Sequence, residues 1–70
     1  MGSIKITLNG QETNIKTTNL NELVTVDLGL NIDHIIIEHN QTIIPKKTIP
    51  NITLNNNDNV EIIRYIGGGS

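Results

Sequence analysis

Between Ile4 and Leu8 apolar and polar residues alternate, with Ile4, Ile6 and Leu8 on one side and Lys5 and Thr7 on the other. A period of two marks a strand with one buried face. Asn9-Gly10 follows at once. A type I′ turn needs positive φ at both central residues, which Asn and Gly tolerate, so a hairpin is expected here. The return run over residues 11–16 is less apolar, with Ile15 its main core candidate, and that polarity suits an edge strand.

The period changes after Asn19: Leu20, Leu23, Val24 and Leu28 recur at helical spacing. Asn19 and Glu22 stand three apart as a capping-box pair, the Asn side chain meeting the Glu22 N–H and Glu22 reaching back. Gly29 supplies a left-handed stop. The expectation is a helix over residues 20–28 that Thr25 and Val26 weaken in isolation, so that packing on a sheet must hold it.

Residues 34–39, HIIIEH, form a dense apolar run and are expected as a central strand with both faces partly covered. Asn40-Gln41 suits a turn into TIIP, where Pro45 ends a short strand by withholding a ladder donor. Residues 46–54 predict an irregular crossover pinned by Ile49, Ile52 and Leu54, and NNNDN a turn. Residues 60–66 make the last strand, with Val60 and Ile62 on one face and Ile63 and Tyr65 on the other. Hairpin, helix, strand, short strand, crossover and strand together describe an α+β roll of the β-grasp kind, a mixed four- to five-stranded sheet with one main helix packed across it. In that arrangement the last strand lies centrally and parallel to the first. Residues 1–66 make the domain, and residues 67–70 a flexible glycine tail.

Composition narrows the chemistry. With 70 residues the chain holds one domain, and with 36 % apolar residues but no Trp, Phe or Cys its core must be aliphatic. A net charge of -2 and a single Tyr speak against nucleic acid, which rewards basic excess and stacking rings. The lack of cysteine excludes disulfides, zinc–thiolate sites and a thiol nucleophile on the chain itself. No run is long and apolar enough for a membrane span or a secretory signal, so a cytoplasmic or comparable reducing compartment, such as the plastid stroma, is expected. Met1-Gly2-Ser3 begins like a myristoylation signal, but Ile6 stands where that signal needs Ser or Thr.

Candidate catalysts are few. His34 and His39 have odd spacing on one expected strand, which sends them to opposite faces and away from a shared metal. Glu38 and Glu61 are candidates for cross-strand neighbours, for which a solvated sheet face is the commoner reading than an acid–base pair. Asn40-Gln41-Thr42 and Asn51-Ile52-Thr53 match glycosylation sequons, as an Asn-rich chain will by chance. There remains the end, EIIRYIGGGS. Glycines without Cβ can thread a channel one peptide wide and carry a terminal carboxylate into another protein's active site, where adenylation with ATP makes it reactive.

The segments ITLNG, NLNELV, IIIEHNQTIIPK and NDNVEIIRYIGGG, in this order and spacing, resemble the ThiS family of sulfur carriers, ubiquitin-like β-grasp proteins of thiamin thiazole biosynthesis. The resemblance spans Ile4 to Gly69. It implies a carrier rather than an enzyme, without a bound cofactor or metal. By that resemblance the terminal glycine is expected to be adenylated by a ThiF-type activating enzyme using ATP, converted to a thiocarboxylate with sulfur from a cysteine desulfurase, and read by thiazole synthase, ThiG. The family's reactive positions fall on Gly68 and Gly69, with Gly67 as spacer. Its docking face falls on Ile63 and Tyr65, together with Ile36. This sequence departs from the family in Ser70 after the glycine, to be removed before activation, foreign to the natural chain, or tolerated by the family here; in NNNDN, where the family has an Asp-Gly-Asp-like turn; and in lacking an aromatic near Ile49. A sister carrier for molybdopterin or tRNA thiolation, and a non-covalent β-grasp module with a linker tail, are the alternatives.

Overall fold

The computed structural model describes residues 2–65. Ile66, the glycines Gly67 to Gly69 and Ser70 lie outside them, and with them the expected domain boundary after residue 66. Five strands form one sheet in the order β2-β1-β5-β3-β4. They are β1 (Ile4–Leu8), β2 (Gln11–Ile15), β3 (Ile35–His39), β4 (Thr42–Ile43) and β5 (Asn59–Arg64). The last strand is central, parallel to β1 and antiparallel to β3. This is the α+β roll expected from the order of elements.

The first hairpin forms as its turn residues require. Ile4 pairs with Ile15 and Leu8 with Gln11, leaving Asn9 and Gly10 as a two-residue turn with φ of 51° and 81°. Asn9 also ties the turn to β5: its N–H donates to the Val60 carbonyl at 2.9 Å, and its Oδ1 accepts from the Ile62 N–H at 2.7 Å. The parallel β1–β5 ladder holds only the Thr7–Asn59 and Leu8–Val60 pairs, and the Asn9 side chain continues it by one bond.

The helix starts where expected and ends differently. α1 (Leu20–Glu22) is capped by Asn19, whose Oδ1 accepts from the Glu22 N–H at 2.9 Å. The returning half of the capping box is built through Thr17 instead. Its hydroxyl accepts from the Asn19 N–H at 3.0 Å and donates to Glu22 Oε1 at 2.7 Å. From Leu23 to Asp27 the helix widens to a π-helix, and the Leu28 N–H reaches the Leu23 carbonyl. Gly29, at φ 66°, stops it as expected. Leu20, Leu23 and Val24 are fully buried, but Leu28 is not the core residue that an α-helical period makes it, being 39 % exposed. The i→i−5 ring holds one more residue than the α ring and leaves Leu28 on the rim.

The core joins Ile6, Ile15, Val60, Ile62, Ile35 and Ile37 from the sheet to Leu20, Leu23 and Val24 from the helix. Ile49 and Leu54 seal it from below, the former within a 3-10 segment (Lys46–Asn51) that the sequence marks as a crossover, and Ile52 packs against it. Two expectations for β3 are corrected. His34 belongs to a 3-10 turn (Ile32–His34) rather than to the strand. The strand is also covered on one face alone, since Ile35 and Ile37 are buried while Ile36 is 41 % exposed. A single helix covers one side of a sheet, and β-branched residues suit an open strand position as well as a buried one. β5 ends at Arg64, short of the strand expected over residues 60–66, though the Tyr65 N–H still donates to the His34 carbonyl at 3.0 Å.

Candidate functional site

On the sheet face away from the helix, the register places Ile36 of β3 directly opposite Ile63 of β5, and Glu38 opposite Glu61. Alternation along each strand turns these four outward, because their neighbours Ile35, Ile37, Val60 and Ile62 fill the core. Ile63 is 48 % exposed, and Ile43 of β4, paired with Glu38, is 62 % exposed. Ile36 and Ile63, two of the residues that the family resemblance assigns to a docking face, thus stand side by side on this face. Ile43 belongs to the same face and was missed, although Ile43-Ile44 carries a signal: alternation must send one of two adjacent isoleucines outward, and Ile44 packs on the core.

Tyr65, the third expected docking residue, stands at the end of this face. It is held twice: its N–H donates to the His34 carbonyl at 3.0 Å, and its hydroxyl donates to the Asp33 carbonyl at 3.2 Å. The Asp33 side chain takes Lys46 Nζ at 2.6 Å, and that hydrogen bond holds the Asp33 carboxyl below its usual range and the Lys46 ammonium above its own. Tyr65 is therefore tied to the 3-10 turn that precedes β3. The residues expected to carry the chemistry, Gly68 and Gly69 with Gly67 before and Ser70 after them, lie outside the described residues.

Beside the end of β5 run two clefts that share Leu30 and Arg64. One, of about 590 Å³, lies between the loop after the helix and the end of β5, lined by Leu30, Asn31, His34, Ile35, Arg64 and Tyr65. The other, of about 460 Å³, is lined by Leu8, Asn9, Leu28, Leu30, Ile62 and Arg64. Leu28 and Arg64 were not read from the sequence as surface features of this end, since helical spacing puts the first in the core and alternation puts the second inward.

The opposite end of the sheet is closed by a polar knot around Asp58. Burial pushes its carboxyl up, but the His39 imidazole, with Nε2 at 2.7 Å from Oδ2, the Asn55 amide at 2.9 Å and the Asn40 side-chain amide at 3.2 Å outweigh it and hold the carboxyl below the ordinary range. His39 is thus a partner of a structural carboxylate. Among the described residues no three His, Cys, Asp or Glu side chains gather as metal ligands, and no helix is long and apolar enough to cross a membrane.

A helix laid across one face of a mixed sheet whose last strand is central, with the other face open beside the end of that strand, defines a β-grasp domain of the ubiquitin-like type. The chain belongs to the ThiS family, whose model matches residues 6–69. Its fold matches the crystal structure of a thiamine biosynthesis protein (ThiS) from Geobacter metallireducens with a TM-score of 0.79, at 22 % identity over 94 % of this chain and 100 % of that one. It is 33 % identical over 67 residues to a thiazole synthase of Paramagnetospirillum magneticum, covering 96 % of this chain and 21 % of that protein. It is also 36 % identical over 63 residues to an uncharacterized protein ycf40 of Trieres chinensis, covering 89 % of this chain and 85 % of that protein. The chain therefore spans about a fifth of the length of the curated thiazole synthases it matches.

Proposed function

We propose that the chain is a sulfur carrier protein of thiamine biosynthesis, a co-substrate of the enzymes that load and unload it and not itself a catalyst. The observation that carries the reading is the span of the family match. It ends at residue 69, so that it takes in Gly67, Gly68 and Gly69 and leaves Ser70 outside. In the proposed cycle, hydrolysis of the Gly69–Ser70 peptide bond first exposes the Gly69 carboxylate. In a ThiF-type enzyme that carboxylate attacks the α-phosphorus of ATP and pyrophosphate leaves. The terminal sulfur of a persulfide formed on a cysteine desulfurase then attacks the acyl carbon and displaces AMP, and a thiol reductant cleaves the resulting acyl disulfide, itself oxidised to a disulfide, to leave the thiocarboxylate. Gly67 and Gly68 carry no Cβ to obstruct a narrow channel. Thiazole synthase, ThiG, is the proposed acceptor, and the relatives named thiazole synthase, which contain a segment similar to nearly all of this chain, support it. The cycle belongs in the cytoplasm or the plastid stroma.

Intact-mass measurement tests the reading. A chain ending at Gly69, incubated with ATP, a ThiF-type enzyme and a sulfur donor, gains ~16 Da as one carboxylate oxygen is replaced by sulfur. An unchanged mass under conditions that load an authentic carrier sinks the proposal. Gly68→Val in the same chain keeps the thermal midpoint and loses the mass gain, because its branched Cβ blocks the channel.

A further inference from the structure

Asn9-Gly10 is the only Asn-Gly pair in the chain, and it stands exposed at the tip of the first hairpin. In this dipeptide the main-chain nitrogen of the glycine can attack the asparagine side-chain amide, because glycine brings no Cβ to crowd the approach. Open space surrounds Gly10 in the fold, and among the described residues its N–H has no backbone acceptor. Asn40 and Asn57 share the left-handed backbone, at φ 52° and 75°, but Gln41 and Asp58 follow them and put a side chain on the attacking residue. Asn9 differs from a free Asn-Gly in being tied to β5: its Oδ1 is held by the Ile62 N–H at 2.7 Å, and its N–H by the Val60 carbonyl at 2.9 Å. Turning the side-chain amide onto the Gly10 nitrogen requires the first of these bonds to break.

We propose that Asn9-Gly10 is a site of self-modification, gated by release of Asn9 from β5, whose isoaspartyl product uncouples the hairpin from the central strand. The proposal goes beyond the carrier reading and does not depend on it. On release, the Gly10 nitrogen bonds to Asn9 Cγ and gives up its proton. The Cγ–Nδ2 bond breaks, Nδ2 takes up a proton and leaves as ammonia, and a cyclic imide remains. Water opens the imide at either carbonyl, with no oxidation or reduction in any step. Attack at Cγ yields aspartate on an unaltered main chain. Attack at the main-chain carbonyl carbon of Asn9 yields isoaspartate, whose main chain runs through Cβ and Cγ and is longer by an atom. The two products leave β5 differently served. Aspartate keeps a side-chain oxygen for the Ile62 N–H and tolerates the left-handed backbone. Isoaspartate draws that side-chain carbonyl into the main chain and lengthens a two-residue turn whose register runs Ile4–Ile15 to Leu8–Gln11. The Ile62 N–H then loses its acceptor. Because the β1–β5 ladder holds only the Thr7–Asn59 and Leu8–Val60 pairs, the Asn9 bonds are a large part of what joins the hairpin to β5.

The test ages the folded full chain in mildly alkaline buffer beside a peptide of residues 5–12 as the open reference. Intact mass, a fragment map and labelling by an isoaspartyl methyltransferase follow the reaction. The expected result is a gain of ~1 Da confined to the fragment that holds Asn9-Gly10, at a rate at least about tenfold slower in the folded chain than in the peptide. Urea below the unfolding midpoint brings the folded rate toward that of the peptide, since the reaction samples the opened state. The isoaspartyl form separated from the aged chain unfolds at a lower urea midpoint, whereas Asn9→Asp, which matches the other product, keeps the midpoint of the wild type. Equal rates in chain and peptide overturn the gate. A mass gain that appears first at another asparagine overturns the site, and an isoaspartyl form as stable as the wild type overturns the coupling to β5.

Discussion

Asn9 serves two demands at once, one local and one distant. Its positive φ completes the hairpin turn, and its side chain caps the Ile62 N–H of the central strand. Asn9→Gly separates them: the turn survives, but a half-buried N–H loses its acceptor, and stability in denaturant falls by about 1–2 kcal/mol. An unchanged midpoint would mean that water replaces the side chain at no cost. Asp58 gives a second prediction. Its carboxyl is held below the unfolded value, so its contribution is complete above pH ~4–5 and is lost as pH falls through the folded value. Asp58→Asn keeps an oxygen for the Asn55 amide but loses the charge facing His39. It costs about 1–3 kcal/mol at pH 6 and flattens the fall in stability between pH 5 and 2 measured by urea unfolding at stepped pH.

At the scale of elements, the helix is where sequence and structure part. Asn19 fixes its start and Gly29 its stop, and both were legible because a cap and a left-handed stop depend on a few consecutive residues. The winding between them was not. A π-turn is a compromise between the chain and the sheet beneath it. The Thr25 hydroxyl, which bonds back to the Asn21 carbonyl at 2.8 Å, sits where the turn widens. The consequence is measurable by thermal unfolding. Leu23→Ala removes a fully buried side chain and costs ~2–5 kcal/mol, whereas Leu28→Ala, on the rim, costs less than about 1 kcal/mol. Equal losses would return Leu28 to the core and the helix to a plain α repeat. β3 teaches the same lesson: an unbroken isoleucine run does not say whether its outward member is covered.

For the whole molecule, Ile62 and Ile63 are adjacent and face opposite worlds. Ile62 is in the core and Ile63 is on the open face opposite Ile36. Ile62→Ala costs ~2–5 kcal/mol in unfolding and leaves the proposed docking on an activating enzyme intact in the surviving folded fraction. Ile63→Ala keeps stability within about 1 kcal/mol and weakens docking. Calorimetry with paired binding measurements distinguishes the two, and a reversed pattern would mean that the functional face is the one the helix covers. The proposed site was legible in unequal parts. Ile36, Ile63 and the cross-strand meeting of Glu38 with Glu61 follow from alternation once the strand order is known, while Ile43, Leu28 and Arg64 required the packed molecule.

Consecutive residues alone determined the β1–β2 hairpin, the start and stop of the helix, the aliphatic core and the order of elements that leads to a β-grasp roll. Each of these is a matter of local dihedral preference or of a period read within a dozen residues. The tertiary structure alone decided the widening of the helix, the open face of β3, and the bonds of Asn9 and Asp58 to β5 and β3. Those are settled by which surfaces meet when residues some fifty positions apart, such as Asn9 and Ile62, are brought together. No local pattern encodes such a meeting, because its free energy exists only once the sheet has closed.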